Sequence, residues 1–454
     1  MDSFRKNERN EDLALSRTGL LKFFFLGNCI VTFYFYVCVL HADFIITFDT
    51  FTWLSIINLE IVIYFLSRAL VNANDRFLEC IFWTFQLIFL AMTPLAINWD
   101  PIPNFLNIET KQSPSDLVLL MILASNLIVG VITSGSPKKN NRRIHEFNFE
   151  TLFQRAEMLR KLYFLLLPFL IGFIGYNYIF RKVRYSVSVD FGPIFYMAEA
   201  LLYVLPIVIF LSYSILSSYH NSKDSLKWRI SFGIILVVLS NPIANARQIV
   251  LLLLIPLVYP KIRKSLLTAR IFSVAITLTA LFATNPVDRY TGKFLGFNFT
   301  PLSRLGDYDA YSQLFFAIRF GQMGLFEPLN QLAGSIFFLI PRQFWPNKPL
   351  DSGVIIGNAR NLRSTNLSCP WIAEAYINGG VVFVVLVCVL IALLFRRMQK
   401  AVFIQSYIIE GLLCGVALIL LRGSLLQASG KTILGIVACF YLTRRASNNR
   451  KVIS

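Results

Sequence analysis

The sequence predicts an all-α protein built inside a membrane, a polytopic chain of about twelve transmembrane helices, and three observations carry that prediction. Hydrophobic residues make up 56% of the 454 positions and charged residues only 15%, with a mean hydropathy of +0.61, whereas a water-soluble domain is about a quarter charged. Apolar runs near the ~20 residues that span a bilayer core recur along the chain. Lysine and arginine collect in alternate connections between those runs. In hydrocarbon every backbone amide and carbonyl must be satisfied within its own segment, so the runs are read as helices and not as strands.

Eight runs are long and apolar enough to be read directly as spans: 20–40, 52–70, 78–97, 117–133, 162–180, 195–216, 377–395 and 401–421. Four shorter runs, 228–243, 246–259, 271–284 and 432–443, end in charge or in an Asn and Pro break and need neighbours to complete them. The whole chain, 1–454, is expected to be a single integral membrane domain. The first run lacks a small-residue cleavage site and is expected to stay as a helix.

Placing both termini in the cytoplasm puts 28 of the 43 basic residues in cytoplasmic connections. That is the orientation the positive-inside rule favours. The other fifteen fall on the outward side, Lys111 in an early loop among them. Arg181, Lys182 and Arg184 follow the fifth span, Arg247 lies in a tight outward turn, and Arg422 and Lys431 flank the last span. Eight more belong to the single long connection, 285–371, which mixes polar stretches with the apolar run 332–341. That run is too short to span and is followed by Arg342, Trp345 and Lys348. It reads as a re-entrant or interfacial helix with a basic cap, since tryptophan favours the headgroup level.

Outward cations can simply grip lipid phosphates. Arg247 and Arg422 resist that reading. Each borders a short span, and extending the span toward 20 residues draws the guanidinium below the membrane surface, where it costs roughly 3 kcal/mol at the centre and is usually functional. Small or polar neighbours, Asn245 and Ala246 in one case and Gly423 and Ser424 in the other, let a ligand come close to the backbone. Glu374 sits where the long connection re-enters the membrane and is the outward carboxylate best suited to act as a base, with Asp307 and Asp309 behind it. Glu60, beside Asn58 in the second span, reads equally as a structural partner or part of a site.

An arginine-lined cleft at a lipid surface suits an anionic, lipid-borne substrate such as a polyprenyl diphosphate sugar, because guanidinium binds phosphate oxygens bidentately and keeps its charge. No Gly-rich nucleotide cradle is present, so an activated donor would arrive already attached to lipid. His41, His145 and His220 lack a paired spacing, and no metal or other cofactor is expected. Of the seven cysteines only Cys369 lies outside the apolar spans, and no disulfide is expected.

Five segments together resemble one family. They are NARQIVLLLL with Arg247 opening a span, Arg289-Tyr290 after the next, IPRQFWPNKP at 340–349, AEAYINGG at 373–380, and Arg422-Gly423 before the last span. From about 241 to 427 the chain is similar to the Wzy-type polymerases of O-antigen and enterobacterial common antigen, the oligosaccharide repeat unit polymerases. Ala373-Glu374 stands where that family often has Gly-Glu.

The resemblance implies a metal-independent glycosyltransferase at the periplasmic face of the bacterial inner membrane, joining undecaprenyl diphosphate-linked repeat units. It implies catalytic roles for Glu374, Arg247 and Arg422, and diphosphate or sugar contacts from Arg289, Tyr290, Arg342, Trp345, Lys348, Arg360 and Arg363. A flippase and a chain-length regulator are the implied protein partners, and nucleic acid is not one. The alternatives are an O-antigen ligase, for which a histidine in the long outward loop is expected and absent, and a twelve-helix transporter, for which two matching halves are expected.

Overall fold

The computed structural model describes residues 2–104, 106–107, 115–135, 149–174, 193–219, 223–241, 245–282, 299–362, 365, 367–399 and 404–444, and every regular element among them is helical. The long helices are α1 (Asp2–Ala42), α2 (Thr50–Val71), α3 (Phe77–Trp99), α4 (Ser115–Ser134), α5 (Phe149–Ile174) and α6 (Pro193–Tyr219). After them come α7 (Lys223–Leu239), α8 (Arg247–Lys264) and α9 (Leu266–Leu281). The long connection holds two 3-10 turns, Leu302–Arg304 and Gly306–Tyr308, and three short helices, α10 (Ala310–Gln322), α11 (Asn330–Ile336) and α12 (Ser352–Ala359). The chain then runs through α13 (Trp371–Gln399), α14 (Ile404–Arg422) and α15 (Leu425–Thr443).

Seven of these helices are long and apolar enough to cross a membrane: α1 from Thr18, α2, α3, α4 from Asp116, Met197–Ser218 within α6, α13 and α15. The last of these is longer than the apolar run 432–443. Ser424 caps it, accepting from the Gln427 amide, and Lys431 does not end it, because its ammonium is buried in an ion pair with Glu199 of α6 at 3.0 Å. Lys431 therefore lies inside the bundle and not on its outward flank as the sequence suggested.

The bundle has two distinct ends. At one, Arg304 donates to the buried Asp100 carboxylate through Nε (3.0 Å) and Nη2 (2.9 Å) and to the Ala42 carbonyl (2.8 Å), while the Ser303 hydroxyl donates to the same carboxylate. Burial alone would raise the Asp100 carboxyl, and the donors of Arg304 and Ser303 outweigh it and hold it below the ordinary carboxylate range. The Leu302 amide donates to the Tyr34 hydroxyl at 2.8 Å, so the long connection is fastened to α1 and α3 at that end. At the other end arginines hold helix termini. Arg270 donates to the Leu70 and Val71 carbonyls, Arg263 pairs with Asp75, and Arg68 reaches the Thr133 carbonyl and the Ser134 hydroxyl.

Polar residues inside the spans have local causes. Pro94 cannot donate to the carbonyl four residues back. That carbonyl, of Leu90, accepts instead from Asn58 Nδ2 at 3.0 Å, and Asn126 of α4 donates to Asn58 Oδ1 at 2.8 Å. The segment Gln86–Met92 just before Pro94 widens to a π-helix. Glu60 accepts from Asn28 of α1 at 3.3 Å, an inter-helix bond remote from the outward turns.

In the run 332–341 the helix α11 ends at Ile336, and Phe337, Leu339 and Ile340 beyond it are exposed. The buried element is α10, whose residues from Ala310 to Ile318 are all buried and which packs on α13, α12, α4 and the π-segment of α3. Tyr308, just before it, stacks on Phe89 with ring centroids 5.0 Å apart.

Helices α8 and α14 pack backbone to side chain through a small-residue pair four apart, Gly411 and Gly415. A Cβ on Gly415 would lie 2.7 Å from the Leu252 carbonyl oxygen and 2.8 Å from the Pro256 ring. Gly415→Leu is expected to lower stability by about 2 kcal/mol or more through overpacking, read as a drop in the midpoint of SDS-induced unfolding. Gly172→Ala, where nothing lies within 4 Å of the added carbon, should leave the midpoint unchanged.

Candidate functional site

Close packing of α8 on α14 brings the first residue of one and the last of the other to the same end of the bundle. These residues are Arg247 and Arg422, and one short turn takes both. The Arg247 guanidinium lies 3.8 Å from the Asp307 carboxylate, with the pair 30% and 48% exposed. Arg422 Nη2 donates to Asp309 Oδ1 at 3.1 Å, with that pair 22% and 2% exposed. Tyr308, between the two aspartates, feels both cations: burial raises its phenol above the ordinary value, while Arg247 and Arg422 act against it. Its hydroxyl donates to the Ala280 carbonyl at the end of α9.

Asp309 is a fully engaged acceptor, taking the Ser368 amide (3.0 Å) and the Ser368 hydroxyl (2.7 Å) besides Arg422. The next amide, Cys369, donates to the Arg422 carbonyl at 3.1 Å. The stretch 367–370 is thereby stitched between the turn and the end of α14. Asp309 is thus the counter-ion of Arg422, with its oxygens spent.

Glu374 stands in the first turn of α13, 5% exposed, and its Oε1 accepts from the Leu425 amide at 3.1 Å. Oε2 is buried without a hydrogen-bond partner, and the Ser352 hydroxyl and Cys369 thiol act on the carboxyl. A second carboxylate, Asp351, accepts from the Ser424 hydroxyl and caps α12 through the Gly353 amide at 2.9 Å. Burial raises the Asp351 carboxyl above the ordinary range, against the Ser424 donor. Gly353 is required there, because a Cβ would fall 2.2 Å from the Leu367 carbonyl oxygen. Both carboxylates meet the start of α15, where the helix presents unsatisfied amides and the positive end of its dipole.

The kink at Gly379–Gly380 sets this arrangement. Gly380 has φ +62°, a left-handed conformation that favours glycine, and the break frees the Asn378 carbonyl from its helix. That carbonyl accepts from the Leu329 amide at 3.0 Å and the Asn378 side chain accepts from the Leu332 amide at 2.8 Å, so α11 is hung on the kink.

The basic loop after α11 closes on itself. Lys348 is buried and donates to the Phe338 and Ile340 carbonyls at 2.7 and 2.9 Å, and Arg342 donates to the Lys348 and Pro349 carbonyls. Burial, with Arg342 nearby, lowers the Lys348 ammonium below the ordinary lysine value. Trp345 is half-buried, its carbonyl accepting from the Lys348 amide. Arg360 lies 3.7 Å over the Phe316 ring and donates to the Leu106 carbonyl at 3.2 Å. Arg289, Tyr290 and Arg363 lie outside the described residues.

Of the residues singled out by sequence, Arg247, Arg422 and Glu374 therefore converge on the turns 307–309 and 422–425, while Arg342 and Lys348 are engaged in holding a loop. Ser368, Asp351 and Tyr308 join the site from the structure alone. Only Asp351 had a local signal, an Asp before Ser-Gly that fits a helix cap. Among the described residues no group of three or more His, Cys, Asp or Glu could hold a metal ion. No family model matches the chain, and no curated protein or solved structure is similar to it.

The two arginine pairs should separate in a stability measurement. Asp309→Ala leaves a mostly buried guanidinium without its carboxylate and is expected to cost about 3 kcal/mol. Asp307→Ala removes a long, solvent-screened contact and should cost under about 1 kcal/mol. Detergent-solubilised protein unfolded with SDS reads both.

Proposed function

We propose that the chain is a glycosyltransferase that lengthens a polymer on a polyprenyl diphosphate carrier, in the manner of the O-antigen polymerases it resembles. It would work as a twelve-span protein of the bacterial inner membrane, with both termini cytoplasmic and the long connection periplasmic. The observation that carries the reading is the convergence of Arg247 and Arg422, from two helices distant in sequence, on one turn at the end of the bundle that the long connection covers. The arginine-capped opposite end fits the cytoplasmic side.

Arg247, 30% exposed beside Asp307, and Arg422, held by Asp309, would grip the diphosphate from the two sides of the turn. In the reaction a hydroxyl oxygen of the incoming repeat unit bonds to the anomeric carbon of the donor chain. The bond from that carbon to the diphosphate oxygen breaks, polyprenyl diphosphate leaves, and the hydroxyl proton passes to a carboxylate. Guanidiniums fixed before the reaction stabilise the charge growing on the leaving diphosphate more than that of the bound donor. A flippase would supply the lipid-linked unit and a chain-length regulator would limit the product.

Glu374 is the base expected from sequence, with an unpartnered buried oxygen beside the start of α15. Exposure favours a second reading for the proton alone. Asp307 is 48% exposed beside Arg247, so an incoming sugar reaches it without displacing protein.

Deleting the gene in its host should collapse the surface glycolipid from a ladder to one repeat unit on electrophoresis. Arg247→Ala or Arg422→Ala should fail to restore the ladder with the protein still in the membrane, and lysine at either position should restore it partly because it lacks the planar fork. A full ladder from Arg247→Ala would remove the diphosphate role. Turnover lost in Glu374→Gln and kept in Asp307→Asn assigns the base to Glu374, and the reverse assigns it to Asp307.

A further inference from the structure

At the end of the bundle opposite the arginine turn, α1, α2 and α9 leave a cleft between them. It is open on one side and is walled by Phe23, Leu26 and Ile30 of α1, Ile63 and Leu66 of α2, and Val274 of α9. Three hydroxyls also line it, and none offers itself to a polar ligand. Ser67 donates to the Ile63 carbonyl, Ser273 to the Ala269 carbonyl and Thr277 to the Ser273 carbonyl, each back onto its own helix. The wall is in effect hydrocarbon.

One end of the cleft is cationic. Arg270 lies one turn before Ser273 and Val274 on α9, and its guanidinium carbon sits 5.0 Å from the centre of the Phe23 ring. Its Nε and Nη2 are spent on the Leu70 and Val71 carbonyls at 3.0 and 2.7 Å, leaving Nη1 without a protein acceptor among the described residues. Lys22 is exposed one turn before Leu26 on α1, and helical spacing puts it on the face that carries Leu26. An apolar slot closed at one end by two cations matches a molecule with an acyl chain and an anionic head, in a membrane whose anionic lipids are drawn to such basic pockets between helices.

We infer that this cleft is a binding site for one anionic phospholipid, its acyl chain between α1, α2 and α9 and its phosphate on Arg270 and Lys22, in the leaflet away from the Asp307–Asp309 turn. The site is separate from the diphosphate clamp and stands or falls independently of it. A lipid here fastens α1, the most lipid-exposed of the spanning helices, to the rest of the bundle.

The test is native mass spectrometry of the full-length protein in detergent with added phosphatidylglycerol or phosphatidylcholine at equal concentration. One phosphatidylglycerol should be retained at collision energies that strip phosphatidylcholine. Lys22→Gln, a substitution of an exposed side chain, should weaken that retention at least tenfold, and Val274→Trp, which fills the slot, should abolish it. Leu386→Trp on the lipid-exposed face of α13 should leave it unchanged. Equal retention of the two lipids, or retention indifferent to both Lys22→Gln and Val274→Trp, would overturn the site.

Discussion

Two carboxylates two residues apart decide where the arginines of this protein point. Asp309, buried and taking donors from Ser368 and Arg422, fixes the end of α14. Asp307, on the exposed side of the same turn, holds the start of α8 loosely. A guanidinium near a membrane interior is tolerable only when its charge is met, so the turn between the two 3-10 segments and α10 has to be delivered to this end with little freedom. Much of the long connection serves that delivery: the bidentate Arg304–Asp100 pair, the Leu302 amide on Tyr34, and the burial of α10 against α13 and the π-segment of α3.

The same requirement explains the glycines. Gly411 and Gly415 let α14 lie against α8 closely enough for Arg422 and Arg247 to share a turn, and Gly379–Gly380 breaks α13 so that the Asn378 carbonyl can serve an element outside its own helix. Rigidity is unequal across the site. Arg422 is locked by its carboxylate and by the Cys369 amide on its carbonyl, whereas Arg247 has a long contact and partial exposure.

The helical membrane character and the seven long apolar helices were legible in the sequence, as was the place of Arg247 and Arg422 at helix ends, because hydrophobic run length and an arginine at the edge of a short span are local properties. What was not legible depends on partners far away in the chain. Lys431 looked like the edge of a span because its carboxylate, Glu199, is 232 residues earlier. Arg342 and Lys348 counted as free outward cations because backbone carbonyls, which no side-chain pattern advertises, accept their protons. The helix at Ala310–Gln322 contains Ser312, Gln313 and Arg319, too polar for a lipid-facing span, and it is buried because protein and not lipid surrounds it.

The most direct measurement is reconstitution of the purified chain in vesicles with a polyprenyl diphosphate-linked repeat unit and no nucleotide sugar. Lipid-linked chains that grow by whole repeat units, with one polyprenyl diphosphate released for each bond formed, are the predicted result. A repeat unit that crosses the bilayer or stays as it was, with no diphosphate lipid released, would contradict the account.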